Sequence, residues 1–134
     1  MPMPVAKMRV ARPTADLARS RDFYERVIGL GVLWSFEDHD GFDGAVLGVP
    51  DERAQLELIS PQESLAPTPT VEDVLVLYFS DGHDVVDLAD RLSAGGHREV
   101  PSDDPALNPY WPRAGARVFV DPDGYRLVLV ANGS

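Results

Sequence analysis

Few side chains in this 134-residue chain are equipped for chemistry, and none of them is a cysteine. Thiolate catalysis, zinc-thiolate centres, iron–sulfur ligation and thiol redox chemistry are therefore excluded. Any metal would need histidine or carboxylate donors. The three histidines, His39, His83 and His97, show no short ligand spacing. His39 falls in an acidic turn, His83 just before a helix, and His97 after Gly95-Gly96 at a strand start. Turn or surface roles are expected for each, although His39 can approach a ligand from its loop and His97 can join an interface. The densest cluster of recognition residues is Asn108-Pro109-Tyr110-Trp111-Pro112-Arg113-Ala114-Gly115. Tyr110 and Trp111, held by prolines, can wall a flat ligand while Arg113 contacts an anion. Equally, the two rings can cover the core or a dimer contact and leave Arg113 wet. Trp34, with Phe36, Phe42 and Phe79, either lines the interior or fills it. A one-residue shift of its strand would turn Trp34 to the opposite face.

Twelve basic residues against twenty-two acidic ones give a formal charge of −10, and the arginines are scattered. Phosphate-backbone binding is not expected, so no nucleic-acid partner is assigned. The field favours a neutral or cationic small molecule, while a local arginine can still hold a carboxylate or phosphate. Met1-Pro2-Met3-Pro4 lacks the basic and apolar regions of a signal peptide. No stretch approaches the roughly 18 apolar residues of a membrane span. A cytoplasmic location without membrane contact is expected.

These residues need a scaffold, and the length fits one domain spanning 1–134. Such a chain can bury a little under about 70% of its unfolded surface without cross-links. The periodicity predicts a first βαβββ module over 5–60, with strands at 7–12, 31–36, 42–48 and 54–59. In the first strand, Met8 and Val10 form the buried face and Pro13 is the stop. The helix over 20–28 carries Phe23, Tyr24, Val27 and Ile28 on one stripe and stops at Gly29. Residues 37–41 read as a turn. A proline-rich linker over 61–72 leads to a second module over 73–131. There the apolar strand 74–79 suits a central position, and Asp84 caps a helix that Gly82-His83 approach. Its inner stripe is Val85, Leu88, Ala89 and Leu92. A strand near 97–100, an excursion over 101–115 and strands at 116–120 and 125–130 follow, the last two joined by Asp121-Pro122-Asp123-Gly124. Gln55-Leu56-Glu57-Leu58 aligns with Arg126-Leu127-Val128-Leu129, marking an internal repeat. Two such modules can enclose a concave pocket or a fully packed core.

Asp16-Leu17-Ala18-Arg19-Ser20-Arg21-Asp22-Phe23-Tyr24, followed by Gly29-Leu30-Gly31, resembles the first-module signature of the glyoxalase/bleomycin-resistance/extradiol-dioxygenase family, the vicinal oxygen chelate superfamily. Asp121-Pro122-Asp123-Gly124-Tyr125-Arg126-Leu127 adds the second-module signature. The loop before the final hairpin is similar to that of a metal-poor branch. The resemblance covers almost the whole chain and implies an α+β fold in which two βαβββ modules form a curved mixed sheet with helices outside. Enzymatic members hold a divalent metal with two histidines and two carboxylates from equivalent strands. The corresponding positions here are Arg9, Glu57, Val74 and Val128. Guanidinium is not a metal ligand and valine has no donor, so Glu57 alone remains and no metal or cofactor is expected. Arg9 and Glu57 can instead form a bidentate ion pair at that location, or Arg9 can point to solvent.

The resemblance favours a metal-independent small-molecule-binding protein of the bleomycin-resistance type over bond-making chemistry. Arg9, Glu57, Trp34, Tyr110, Trp111 and Arg113 are the expected ligand contacts, with no catalytic residue, and a homodimer is expected to complete paired grooves. A glyoxalase-like lyase or isomerase is the alternative, with Glu57 moving a proton and Arg9 stabilising an oxyanion. It lacks a second acid or base. A purely structural dimeric module is the third reading.

Overall fold

Asp16 starts the first helix: its carboxylate accepts the Arg19 amide at 3.1 Å, satisfying one of the unpaired donors at a helix start. The helix α1 (Leu17–Arg21) runs without interruption into a π-helical segment, Asp22–Ile28. It thus begins earlier than the apolar stripe alone indicates, because Leu17 is the one large apolar residue of the cap and first turn. Phe23, Tyr24, Val27 and Ile28 are buried as expected. Gly29 closes the segment at φ 92°, a conformation open to glycine. Thr14 Oγ1 lies 2.6 Å from Ser20 Oγ, and both residues are buried, which ties the chain entering the helix to its first turn.

The computed structural model describes residues 1–61, 63 and 65–132. It contains two compact units, Met1–Pro67 and Thr68–Ser134. In the first, β1 (Met8–Pro13), β2 (Val32–His39), β3 (Phe42–Gly48) and β4 (Ala54–Pro61) form a mixed sheet of order β1-β4-β3-β2. β1 runs parallel to β4, and the other pairs are antiparallel. α1 packs on β3 and β4, where Ala45, Leu47, Leu56 and Leu58 are buried.

Expectations for both edge strands of this sheet are corrected. Met8 and Val10 do not form a buried face; they are 52% and 44% exposed on an edge strand. Pro13 belongs to that strand, as an edge tolerates a missing amide donor. Second, residues 37–41 are not all turn. β2 extends through His39, and only Asp40 and Gly41 make the connection, at φ 54° and 86°. Positive φ at both central residues is what a tight two-residue hairpin requires.

In the second unit, β5 (Val74–Phe79), β6 (Arg117–Val120) and β7 (Arg126–Ala131) form a sheet of order β5-β7-β6. β5 spans its expected residues but is an edge of this sheet; β7, buried from Arg126 to Val130, is the central strand. The helix α2 (Gly82–Ala94) is capped by Asp81, whose carboxylate accepts the His83 amide at 2.8 Å. Asp84 therefore lies inside the first turn, and Gly82 and His83 are helical rather than an approach. Val85, Leu88, Ala89 and Leu92 are buried on one stripe, as expected. The strand expected near 97–100 is reduced to a bridge between Glu99 and Phe119, flanked by Val100 N to Val118 O at 2.8 Å and Val120 N to Arg98 O at 3.0 Å. Pro101 follows and has no amide with which to extend the ladder. The excursion before β6 contains a one-turn helix, α3 (Tyr110–Arg113).

The fold is α+β, with seven strands in mixed sheets and few helices among the described residues. Strand register gives the internal repeat a physical form: Arg9 lies opposite Gln55 on parallel strands, and Val74 lies opposite Arg126 on the equivalent pair. Among the described residues, no helix is long and apolar enough to cross a membrane.

Candidate functional site

Strand alternation decides which side chains of the first unit share a face. On β4, Gln55, Glu57 and Ile59 lie opposite in direction to Leu56 and Leu58, which are committed to the buried layer. Register then places Val46 beside Glu57 and Trp34 beside Val46, with Gly44 between Ile59 and Phe36 in the next row. Trp34 reaches this face because β2 carries an extra residue between Val32 and Trp34. Without that bulge, Leu33 would oppose Val46 and the indole would turn away. A second irregularity, between Phe36 and His39, brings His39 opposite Phe42. Within it Asp38 has φ 47° and its amide donates to Asp43 Oδ1 at 2.7 Å.

The result is a concavity of about 530 Å³ walled by Trp34, Phe36, Phe42 and Ile59, with Arg9, His39, Asp40 and Glu57 as its polar groups. Arg9 divides its guanidinium between two acceptors: Nε donates to Gln55 Oε1 at 2.9 Å and Nη1 to Glu57 Oε1 at 3.1 Å. The expected ion pair exists, but it is not bidentate, because Gln55 takes the second donor. The guanidinium also stacks 4.7 Å from the Trp34 ring centroid. Gln55 is held from behind by its Nε2, which donates to Glu52 O at 2.7 Å. Arg9 is thus fixed by three neighbours and in turn fixes the indole. His39 stands edge-on to Phe36, with ring centroids 6.0 Å apart.

The aromatic wall depends on a glycine. A Cβ on Gly44 would fall 2.9 Å from both Cε atoms of Phe36, so the ring occupies the space a side chain would fill. Gly44→Ala is expected to push Phe36 into the concavity and to cost about 1–3 kcal/mol, as overpacking does. Denaturant unfolding and Phe36 ring-proton shifts check this; an unmoved ring would contradict it.

The remaining expected contacts lie in the second unit on α3. Trp111 packs against the core cluster of Val100, Leu107, Val118 and Val128. Tyr110 is exposed and meets Trp111 edge-on at 4.9 Å, and Arg113 is exposed. None of the three lines the neighbouring 590 Å³ concavity, whose walls include Val100, Leu107, Arg117 and Val118. There Arg117 is clamped bidentately by Glu99, at 2.8 and 2.7 Å. Those hydrogen bonds raise the Arg117 pKa further above its usual value. This pair is closed on itself, whereas the first-unit concavity presents three aromatic rings and an acidic rim.

The family metal set does not fit these residues. Arg9 stands where an imidazole would be and already donates to Gln55 and Glu57. Val74 and Val128 supply no donor atoms, and Val128 is fully buried. Among the described residues, no three His, Asp or Glu side chains are grouped to hold a metal ion. His83 sits in the first turn of α2, and the His97 ring lies against Gly95.

The YycE-like N-terminal domain matches residues 8–59, and the YycE-like C-terminal domain matches residues 72–131. The chain belongs to the YycE-like family. It is 34% identical over 126 residues to the uncharacterized protein YycE of Bacillus subtilis (strain 168), covering 93% of this chain and 87% of that protein. A crystal structure of a YycE protein of unknown function from Bacillus subtilis, a candidate glyoxalase/fosfomycin resistance protein, superposes with a TM-score of 0.85 at 32% identity, covering 94% and 89% of the two chains. Similar folds occur in the trypanothione-dependent glyoxalase I of Leishmania major, with a TM-score of 0.72 at 19% identity over 97% and 87% of the chains. TnmS3, an antibiotic binding protein from Streptomyces sp. CB03234, gives 0.68 at 22% identity over 96% and 98%. The YycE match and the shared fold together support a glyoxalase/vicinal oxygen chelate assignment for this chain.

Proposed function

We propose that this YycE-like protein is a metal-independent small-molecule-binding protein of the bleomycin-resistance type, acting by enclosure rather than bond-making. The observation that carries the reading is the first-unit concavity, where Trp34, Phe36 and Phe42 present flat apolar faces beside the Arg9–Glu57 pair. Arg9 against Asp40 and Glu57 leaves one formal negative charge in excess on the lining, in a chain of net charge −10. A planar aromatic molecule that is neutral or cationic meets both conditions. Trp34 and Phe36 stand on the wall of the concavity and leave its volume open. The antibiotic-binding function of TnmS3, a protein of similar fold, is in keeping with this reading. Arg9, Glu57 and Trp34 are its principal contacts; Tyr110, Trp111 and Arg113 are proposed separately, as a contact surface on α3 of the second unit. Metal independence rests on the donor chemistry at Arg9, Val74 and Val128. A cytoplasmic homodimer without cofactor, nucleic acid or membrane partner completes the proposal.

The planar cation ethidium tests it. Fluorescence titration is expected to give saturable binding, with the same affinity in excess EDTA. Loss of binding on chelation would overturn metal independence, and the absence of saturable binding of any planar cation would overturn the ligand class.

A further inference from the structure

Arg126 is the one cation on the second unit's central strand, and one nitrogen of its buried guanidinium has no hydrogen-bond partner among the described residues. The residue is 8% exposed, and its Nη1 is buried with no hydrogen-bond partner among the described residues. Its neighbours across the sheet are Val74 on β5 and Val120 on β6. By alternation along β7 it shares its face with Val128, a member of the apolar cluster against which Val74, Val76, Val120 and Trp111 pack.

The internal repeat shows what is missing. Gln55 occupies the same register in the first unit and is also buried, but both ends of its amide are satisfied, by Arg9 across the parallel strand and by Glu52 O. In the second unit Val74 stands where Arg9 stands, and the polar residue facing it has become a guanidinium. A guanidinium cannot shed its proton to relieve burial, and an unmatched buried charge is among the most unfavourable arrangements a core can hold. Such a group is either a defect or one half of a pair.

We propose that Arg126 anchors the carboxylate of a small acid with an apolar or aromatic body. One guanidinium neutralises one carboxylate, whereas a phosphate dianion would leave a net negative charge buried on a valine-lined face of an already acidic protein. The apolar neighbours suit the body of the acid, and the buried Nη1 supplies a directed donor. The inference stands on the second unit alone and is independent of the ligand proposed for the first.

Thermal unfolding of the full-length protein tests it, with benzoate, phenylacetate and hexanoate as probes, benzamide as the uncharged counterpart and inorganic phosphate as the competing oxyanion. At about tenfold excess over Kd, a carboxylate is expected to raise the wild-type midpoint by about 5 °C, with benzamide and phosphate inactive. Arg126→Met is expected to unfold at or above the wild-type temperature without ligand, since it removes an unmatched charge, and to give no carboxylate shift. A midpoint well below wild type in Arg126→Met would show that the guanidinium is a structural partner and overturn the proposal. So would a carboxylate shift retained in that variant, a phosphate shift equal to that of benzoate, or no shift with any of the three acids.

Discussion

Glu57→Gln is expected to weaken the binding of a planar cation about ten- to a hundredfold, with little change in stability. The carboxylate is 12% exposed, so a ligand charge beside it meets little screening by water, and a hydrogen bond to a charged group is worth about 1.5–3 kcal/mol. Glutamine keeps the shape and can still accept from Arg9, but it removes the negative charge. Stability changes little because Arg9 is 39% exposed and retains Gln55 and the Trp34 ring; a pair this open contributes about 1 kcal/mol at most. Calorimetric titration with ethidium, alongside denaturant unfolding, measures both quantities. Unchanged affinity would remove Glu57 from the site, and a large loss of stability would make it a structural residue.

Phe23→Ala is expected to have the opposite profile. Phe23 is 0% exposed and stands edge-on to Tyr24 at 4.8 Å, in the π-helical segment that continues α1. Truncating a buried phenylalanine removes its transfer energy and leaves a cavity, together about 3–5 kcal/mol. That is a large share of the roughly 5–15 kcal/mol that holds a typical domain together. The urea midpoint should fall accordingly, and ligand binding should fail only where the unit unfolds. A change below about 1 kcal/mol would mean that the segment is not an anchor of the first unit.

The contrast between these residues also explains what the sequence could disclose. Phe23, Tyr24, Val27 and Ile28, like the α2 stripe, are legible because burial imposes a period on their spacing. The β3 and β5 spans are legible for a similar reason, being apolar runs with polar or proline punctuation. Helix starts are less so: Asp81 and Asp84 are both competent caps, and only the backbone decides between them. The edge position of β5 was hidden because a run of apolar residues does not report how many neighbours a strand has. Arg9 and Glu57 could be paired from the repeat and the family signature, but the part of Gln55 could not, since nothing in a lone glutamine marks it as a second acceptor. Trp34 was the least determined. Its face depends on a bulge at Leu33, an insertion in the ladder that leaves no periodic trace. His39 reaches the same wall through the second bulge, and the polar run 37–41 reads as a turn although only Asp40 and Gly41 make one.

The central claim is that this aromatic, acid-rimmed concavity is a binding site, with Trp34 as one of its three aromatic walls. Trp34 is 42% exposed, so Trp34→Ala should cost about 1–2 kcal/mol and leave the protein folded. Calorimetric titration of ethidium into wild type and Trp34→Ala is the most direct test. The account predicts saturable binding to wild type and an affinity at least about tenfold lower in the variant, from lost stacking of about 1–3 kcal/mol. Equal affinity in the two folded proteins would contradict it.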